Sequence, residues 1–124
     1  MNSVLVVDDS LVVREMLAEQ LRQSGYHVSV AIDGMDAISH IQLARPDLVI
    51  TDVVMPRMNG YELCRWLKSD PRTHHIPVVM CSTKSEDFDR YWGMKQGADA
   101  YVTKPCPPRE MMSAIHYLLT QHNN

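Results

Sequence analysis

The chain has 124 residues, a formal net charge of -3 and an apolar fraction of 45%, which is one domain of ordinary size with enough apolar side chains for a single core. Its Lys and Arg are interspersed with Asp and Glu, which speaks against a nucleic-acid partner, because phosphate neutralisation needs clustered cations. No apolar run approaches the length of a membrane span and the N-terminus lacks a charged start followed by an apolar core, so a cytoplasmic protein without membrane insertion is expected.

A first strand is predicted over residues 4–7, running into Asp8-Asp9. Ser10 suits the N-cap of the helix that follows. Val13, Met16, Leu17 and Leu21 repeat there at helical spacing, and Gly25 sits at the expected stop. A short second strand is predicted over 28–31. Asp33-Gly34 reads as a turn before a helix marked by Ala37, Ile38 and Ile41. The third strand, 48–51, is nearly all apolar, as in strands buried on both faces, and ends at Asp52. Met55-Pro56 and Asn59-Gly60 read as a loop, followed by a helix over 61–69 with Leu63 and Leu67 inward.

Residues 70–75 form a polar connection in which His74-His75 reads as two loop histidines. The fourth strand, 76–81, runs into Ser82. A helix over 86–96 stops at Gly97, and the fifth strand, 100–103, runs into Lys104-Pro105. Pro107 or Pro108 can occupy the first turn of a last helix, with Met111, Ile115, Leu118 and Leu119 as its stripe. Phe88, Tyr91 and Trp92 share a face of the fourth helix, where core packing and an exposed partner contact both stay open. Cys64, Cys81 and Cys106 are odd in number and not closely paired, so buried thiols are expected.

Alternating strands and helices joined by short loops predict a doubly wound parallel sheet with right-handed crossovers. In such a sheet the carboxyl ends of the strands form the ligand edge. Asp8, Asp9 and Asp52 would then crowd three carboxylates together. An all-oxygen donor set without a Cys/His cluster points to Mg2+ or Mn2+. Lys104 adds a compact positive charge on a flexible stem, and Ser82 adds a hydroxyl. A carboxylate that attacks phosphorus forms an acyl phosphate, and phosphoryl transfer asks a protein mainly for alignment and charge neutralisation.

Taken together, Asp8-Asp9, Asp52 to Pro56 with Asn59-Gly60, Ser82, Gly97 to Tyr101 and Lys104-Pro105 resemble the response-regulator receiver domain, the CheY-like module of two-component signalling. The likeness covers essentially the whole chain, 1–124, as a single receiver without an output domain. It implies five parallel strands in the order 2-1-3-4-5. It implies that Asp52 accepts a phosphoryl group from a sensor histidine kinase, CheA-like among the options. Asp9 would ligate Mg2+ directly, Asp8 largely through water, and the backbone carbonyl of Val54 would be a further ligand. Lys104 would pair with the phosphoryl group and Ser82 would hydrogen-bond it.

The same likeness makes Ser82 and Tyr101 the switch pair. The fourth helix, fifth strand and fifth helix become the face that contacts a downstream effector. The protein would be a signalling phosphoacceptor rather than an enzyme with an external product, either a monomer or a weak phosphorylation-dependent dimer. Residues 89–97 look like the PilH-like regulators of twitching motility, which would place the protein in pilus-based motility or chemotaxis-type signalling. Thr83, where a smaller residue is frequent in the family, is expected to slow exchange at Asp52. Val54, with no polar group to orient water, is expected to prolong the phosphoryl lifetime.

Three rivals are weighed against this reading. A haloacid-dehalogenase-like phosphatase would need an acidic residue where Val54 stands. A flavodoxin-like carrier would need a hydroxyl- and glycine-rich loop where Asp8-Asp9 stand. A receiver-like interaction module that works without phosphorylation would have no need of Asp9, Asp52 and Lys104 together.

Overall fold

The computed structural model describes residues 2–122. Five strands alternate with five helices: β1 (Ser3–Val7), α1 (Leu11–Gln23), β2 (His27–Ala31), α2 (Gly34–Leu43), β3 (Leu48–Thr51), α3 (Gly60–Ser69), β4 (Val78–Ser82), α4 (Asp87–Lys95), β5 (Ala100–Thr103) and α5 (Pro108–His122). All strand pairs are parallel and the order is β2-β1-β3-β4-β5, as the family resemblance implies.

Side chains alternate between the two faces of each strand, and the core divides accordingly. Val4, Val6, Leu48, Ile50, Val79 and Val102 meet Leu17 and Leu21 of α1 and Met111, Ile115, Leu118 and Leu119 of α5. On the other face Leu5, Val7, Val49, Val78 and Met80 meet Ala37 and Ile41 of α2 and Leu63 and Leu67 of α3. Both faces being covered explains why β3 is buried along its whole length and apolar except for Thr51.

Several boundaries differ from the sequence expectation, each for a local reason. Asp33-Gly34 is a helix start rather than a turn, and Asn59-Gly60 is a helix start rather than a loop. Asp33 caps α2 by accepting the Asp36 amide, and Asn59 caps α3 in a reciprocal box with Glu62. β4 begins at Val78 because Pro77 has no N–H to donate, and it extends to Ser82, which is the last strand residue. Met16 lies on the outer side of α1 and is 52% exposed, whereas Leu17 and Leu21 are buried. Cys64 and Cys81 are buried and free, but Cys106 is only partly covered. Burial pushes the Cys64 thiol up to about 11 and the Cys81 thiol up to about 12.

Candidate functional site

The register brings the chemistry to one edge. Val7 pairs with Thr51, so Asp8 and Asp52 emerge side by side. The Asp52 amide continues the ladder by donating to the Val7 carbonyl at 2.9 Å. Ser82 pairs with Thr103 at the end of β4 and β5, and the Lys104 amide donates to the Ser82 carbonyl at 2.8 Å. The peptide bond between Lys104 and Pro105 is cis.

Lys104 bridges the carboxylates. Its Nζ donates to Asp8 Oδ2 at 2.7 Å and lies 3.5 Å from Asp52 Oδ2. Asp8 is buried, and its other oxygen accepts the Ser10 amide at 2.8 Å. Asp52 Oδ1 accepts the Val53 amide at 2.7 Å. Asp9 is exposed at the rim. One oxygen from each of Asp8, Asp9 and Asp52 can be chosen so that all three lie within 4.8 Å of one another. This is a hard, all-oxygen donor set with its negative charge only partly offset by one ammonium, and it fits a divalent cation such as Mg2+.

The electrostatics follow from crowding. Burial and the nearby Asp8 charge raise the Asp52 carboxyl above its ordinary value, although Lys104 and the Val53 amide pull the other way. Burial alone would lower the Lys104 ammonium, but the Asp8 hydrogen bond and the Asp52 and Asp8 charges outweigh it and raise it. Both shifts describe a carboxylate pair sharing one cation.

Gly60 lets α3 approach. A Cβ there would overlap the Asp52 carbonyl oxygen, while the Gly60 amide donates to the Val53 carbonyl at 2.8 Å. Val54 lies between Val53, tied in this way, and the buried Met55. Its own side chain is apolar and 61% exposed, two positions beyond Asp52.

Ser82 and Tyr101 are both buried. Ser82 accepts the Lys84 amide on its hydroxyl at 3.2 Å. Tyr101 is turned inward rather than lying on the surface, and its hydroxyl donates to the Lys84 carbonyl at 2.7 Å. Arg90 of α4 donates to the Tyr101 carbonyl at 2.8 Å and lies over the ring. The α4 aromatics are not core residues: Phe88 and Tyr91 are 70% and 60% exposed, and Phe88 stacks on Trp92, itself 39% exposed, with centroids 6.4 Å apart. His74 is held locally, its Nδ1 3.0 Å from the Pro71 carbonyl.

Two supporting residues were not legible in the sequence. Arg14 of α1 donates to the Asp8 carbonyl at 2.8 Å, fixing the backbone beneath the carboxylate. Arg57 pairs with buried Asp33 through two nitrogens, each 2.7 Å from Oδ2. The helical spacing of Asp33 and Asp36 was the available signal for the cap, but nothing local marks Arg57. A cleft of about 720 Å³ lined by Leu43, Arg45, Trp66 and Arg72 lies where α2 and α3 end. That is the far end of the sheet from Asp52.

Residues 4–116 match the family model of the response regulator receiver domain. The chain belongs to this family. Among curated relatives, the receiver is 39% identical over 98% of its length to a probable transcriptional regulator, ycf27, of Cyanophora paradoxa, covering 49% of that protein. It is 37% identical over 94% of its length to the alkaline phosphatase synthesis transcriptional regulatory protein PhoP of Bacillus subtilis, covering 48% of it. The chain thus spans about half the length of these relatives.

Among solved structures, the receiver is similar to the signal receiver domain of a signal transduction histidine kinase from Syntrophus aciditrophicus. The TM-score is 0.92 at 38% identity, covering 98% of this chain and 92% of that one. It is also similar to the chemotaxis protein CheY4 of Vibrio cholerae, with a TM-score of 0.90 at 32% identity, covering 95% and 98%. Among the described residues no helix is long and apolar enough to cross a membrane.

Proposed function

We propose that this receiver accepts a phosphoryl group on Asp52 from a phosphohistidine of a sensor histidine kinase. An Asp52 oxygen attacks phosphorus, the P–N bond to the histidine breaks, and the released imidazole nitrogen takes a proton from solvent. The product is an acyl phosphate on Asp52. The observation that carries this reading is the convergence of Asp52 with Asp8 and Lys104, whose Nζ lies 3.5 Å and 2.7 Å from the two carboxylates.

Asp8, Asp9, Asp52 and the Val54 carbonyl are the residues to hold Mg2+ or Mn2+. When bound, the cation neutralises charge on the phosphoryl oxygens. Lys104 holds Asp8 and Asp52 together before transfer, and its flexible ammonium can then follow the new dianion. Ser82 lies at the end of the adjacent strand, placed to donate its hydroxyl to the same group. The oxygen of that hydroxyl accepts the Lys84 amide, and the Lys84 carbonyl accepts the Tyr101 hydroxyl. The new charge is thereby coupled to the α4-β5-α5 surface.

The exposed Phe88, Tyr91 and Trp92 support that surface as the contact for an effector protein. The likeness of residues 89–97 to PilH-like regulators supports pilus-based motility or chemotaxis-type signalling as the process, in the cytoplasm. The protein then catalyses nothing beyond its own phosphorylation and dephosphorylation.

Intact mass after incubation with acetyl phosphate and Mg2+ tests the reading. One added phosphoryl group is expected in the wild type and none in Asp52→Ala or in excess chelator. No adduct, no Mg2+ binding and no response to beryllofluoride would together favour an interaction module that works without phosphorylation.

A further inference from the structure

We infer that Arg57 and Asp33 form a positioning clamp on the loop 53–59, which carries the Val54 carbonyl proposed as a ligand, and that this clamp sets the affinity of the site for Mg2+. The inference rests on the metal reading proposed above. Neither residue belongs to the acidic cluster, and their effect acts through the loop between them and Val54.

The loop is pinned at both ends. On the acceptor side, the Val53 amide donates to Asp52 Oδ1 at 2.7 Å, and the Val53 carbonyl accepts the Gly60 amide at 2.8 Å. On the other side two consecutive residues are tied to the start of α2. Arg57 donates from Nε to Asp33 Oδ2 at 2.7 Å, and its Nη2 lies 2.7 Å from the same oxygen as an ion pair. The Met58 carbonyl accepts the Gly34 amide at 3.3 Å. A Cβ on Gly34 would sit 2.8 Å from that carbonyl oxygen and 2.6 Å from Met58 Cγ, so the close approach needs glycine.

Between the two anchors stand Val54, Met55 and Pro56. Met55 is buried in the core and the Pro56 ring restricts φ. Val54 therefore has little freedom while both anchors hold.

Two features show that the clamp holds this loop against a local preference. Arg57 has φ +66°, the left-handed region that residues other than glycine seldom occupy. Such a conformation persists where the surroundings over-determine it. Asp33 is 2% exposed, and its other oxygen is engaged in capping α2 through the Asp36 amide at 2.9 Å. Its charge is thus met by the Arg57 fork and by backbone amides, and loss of the fork leaves a buried carboxylate short of a partner.

Calorimetric titration of the full chain with MgCl2 tests this, using Arg57→Gly, Asp33→Asn and the double variant. Glycine removes the guanidinium while accepting the left-handed backbone, so the loop loses its strap without new strain. The Mg2+ dissociation constant is expected to rise roughly 10-fold in each single variant, the low end for supports lying outside a metal's own ligands. The double variant is expected to be no weaker than either single one. Amide exchange without metal should speed up over residues 53–59 and stay unchanged in α1 and α5. An Arg57→Gly protein that binds Mg2+ within twofold of wild type, or whose loop exchange is unaltered, overturns the clamp. Wild-type protein that binds no Mg2+, or Asp9→Ala protein that binds it equally well, overturns the metal reading itself.

Discussion

Asp8 and Asp33 end neighbouring strands, and the structure treats them alike up to a point. Each is 2% exposed, each accepts a backbone amide at the start of the next helix, and each pairs with a cation at 2.7 Å. They differ in the cation. Asp33 has the planar fork of Arg57 to itself, two nitrogens on one oxygen. Asp8 shares the ammonium of Lys104 with Asp52. A guanidinium fork fixes geometry, whereas an ammonium on a flexible stem is a movable point charge. The proposed function asks the first pair to stay closed and the second to reopen when a new anion arrives.

The largest test of this contrast is Lys104→Met. It leaves Asp8 and Asp52 adjacent without their cation, and breaking such a buried pair costs about 3 kcal/mol. Urea unfolding at neutral pH should show that loss without metal, and Mg2+ should recover much of it. Recovery by Mg2+ is the signature of an exchangeable site.

Asp33→Asn comes next, with a loss of about 1–2 kcal/mol at neutral pH from weakened charge-assisted bonds. The pH dependence has a defined sign. Burial opposes ionisation, but the Asp36 amide and Arg57 prevail and lower the Asp33 carboxyl below its ordinary 3.8. Its contribution is present above 3.8 and is lost as pH falls through the lowered value. The penalty of Asp33→Asn should therefore fade in unfolding curves taken in strong acid, and Mg2+ should rescue little of it.

Arg57→Lys keeps the charge but not the fork on a half-exposed partner, so a smaller loss of about 0.5–1 kcal/mol is expected in the same unfolding assay.

Asp52→Asn should move the other way, with a gain of about 0.5 kcal/mol from relief of like-charge crowding. Its carboxyl is raised, first by burial and then by Asp8. The stability it contributes is complete below 3.8 and is lost as pH rises through the folded value. The advantage of Asn over Asp should thus grow from acid to neutral pH. A gain that is flat with pH would remove the electrostatic account of the site.

Much of this was legible in the order of residues. Asp8, Asp52, Ser82 and Lys104 follow apolar runs short enough to be strands, and strands joined by short crossovers must run parallel. That logic by itself places the four side chains at one edge. What pattern reading lost were dual-use residues. Asp33-Gly34 and Asn59-Gly60 carry turn chemistry, yet Asp and Asn also cap helices and Gly fits where another chain comes close, so they start α2 and α3. Met16 matched the helical period but lay just outside the buried stripe of α1.

By itself the sequence determined the βα alternation, the parallel sheet and the set of carboxylates, hydroxyl and ammonium at its edge. These depend on periodicities of two and 3.6 and on short loops, which are local properties of the chain. Only the tertiary structure decided which cation meets which carboxylate. It alone paired Arg57 with Asp33 across 24 positions and Lys104 with Asp8 across 96. It also turned Tyr101 inward beneath Arg90 and left Phe88 and Trp92 stacked in solvent. Such pairings depend on where distant loops arrive and on which charges are left buried when they do, and no local pattern records either.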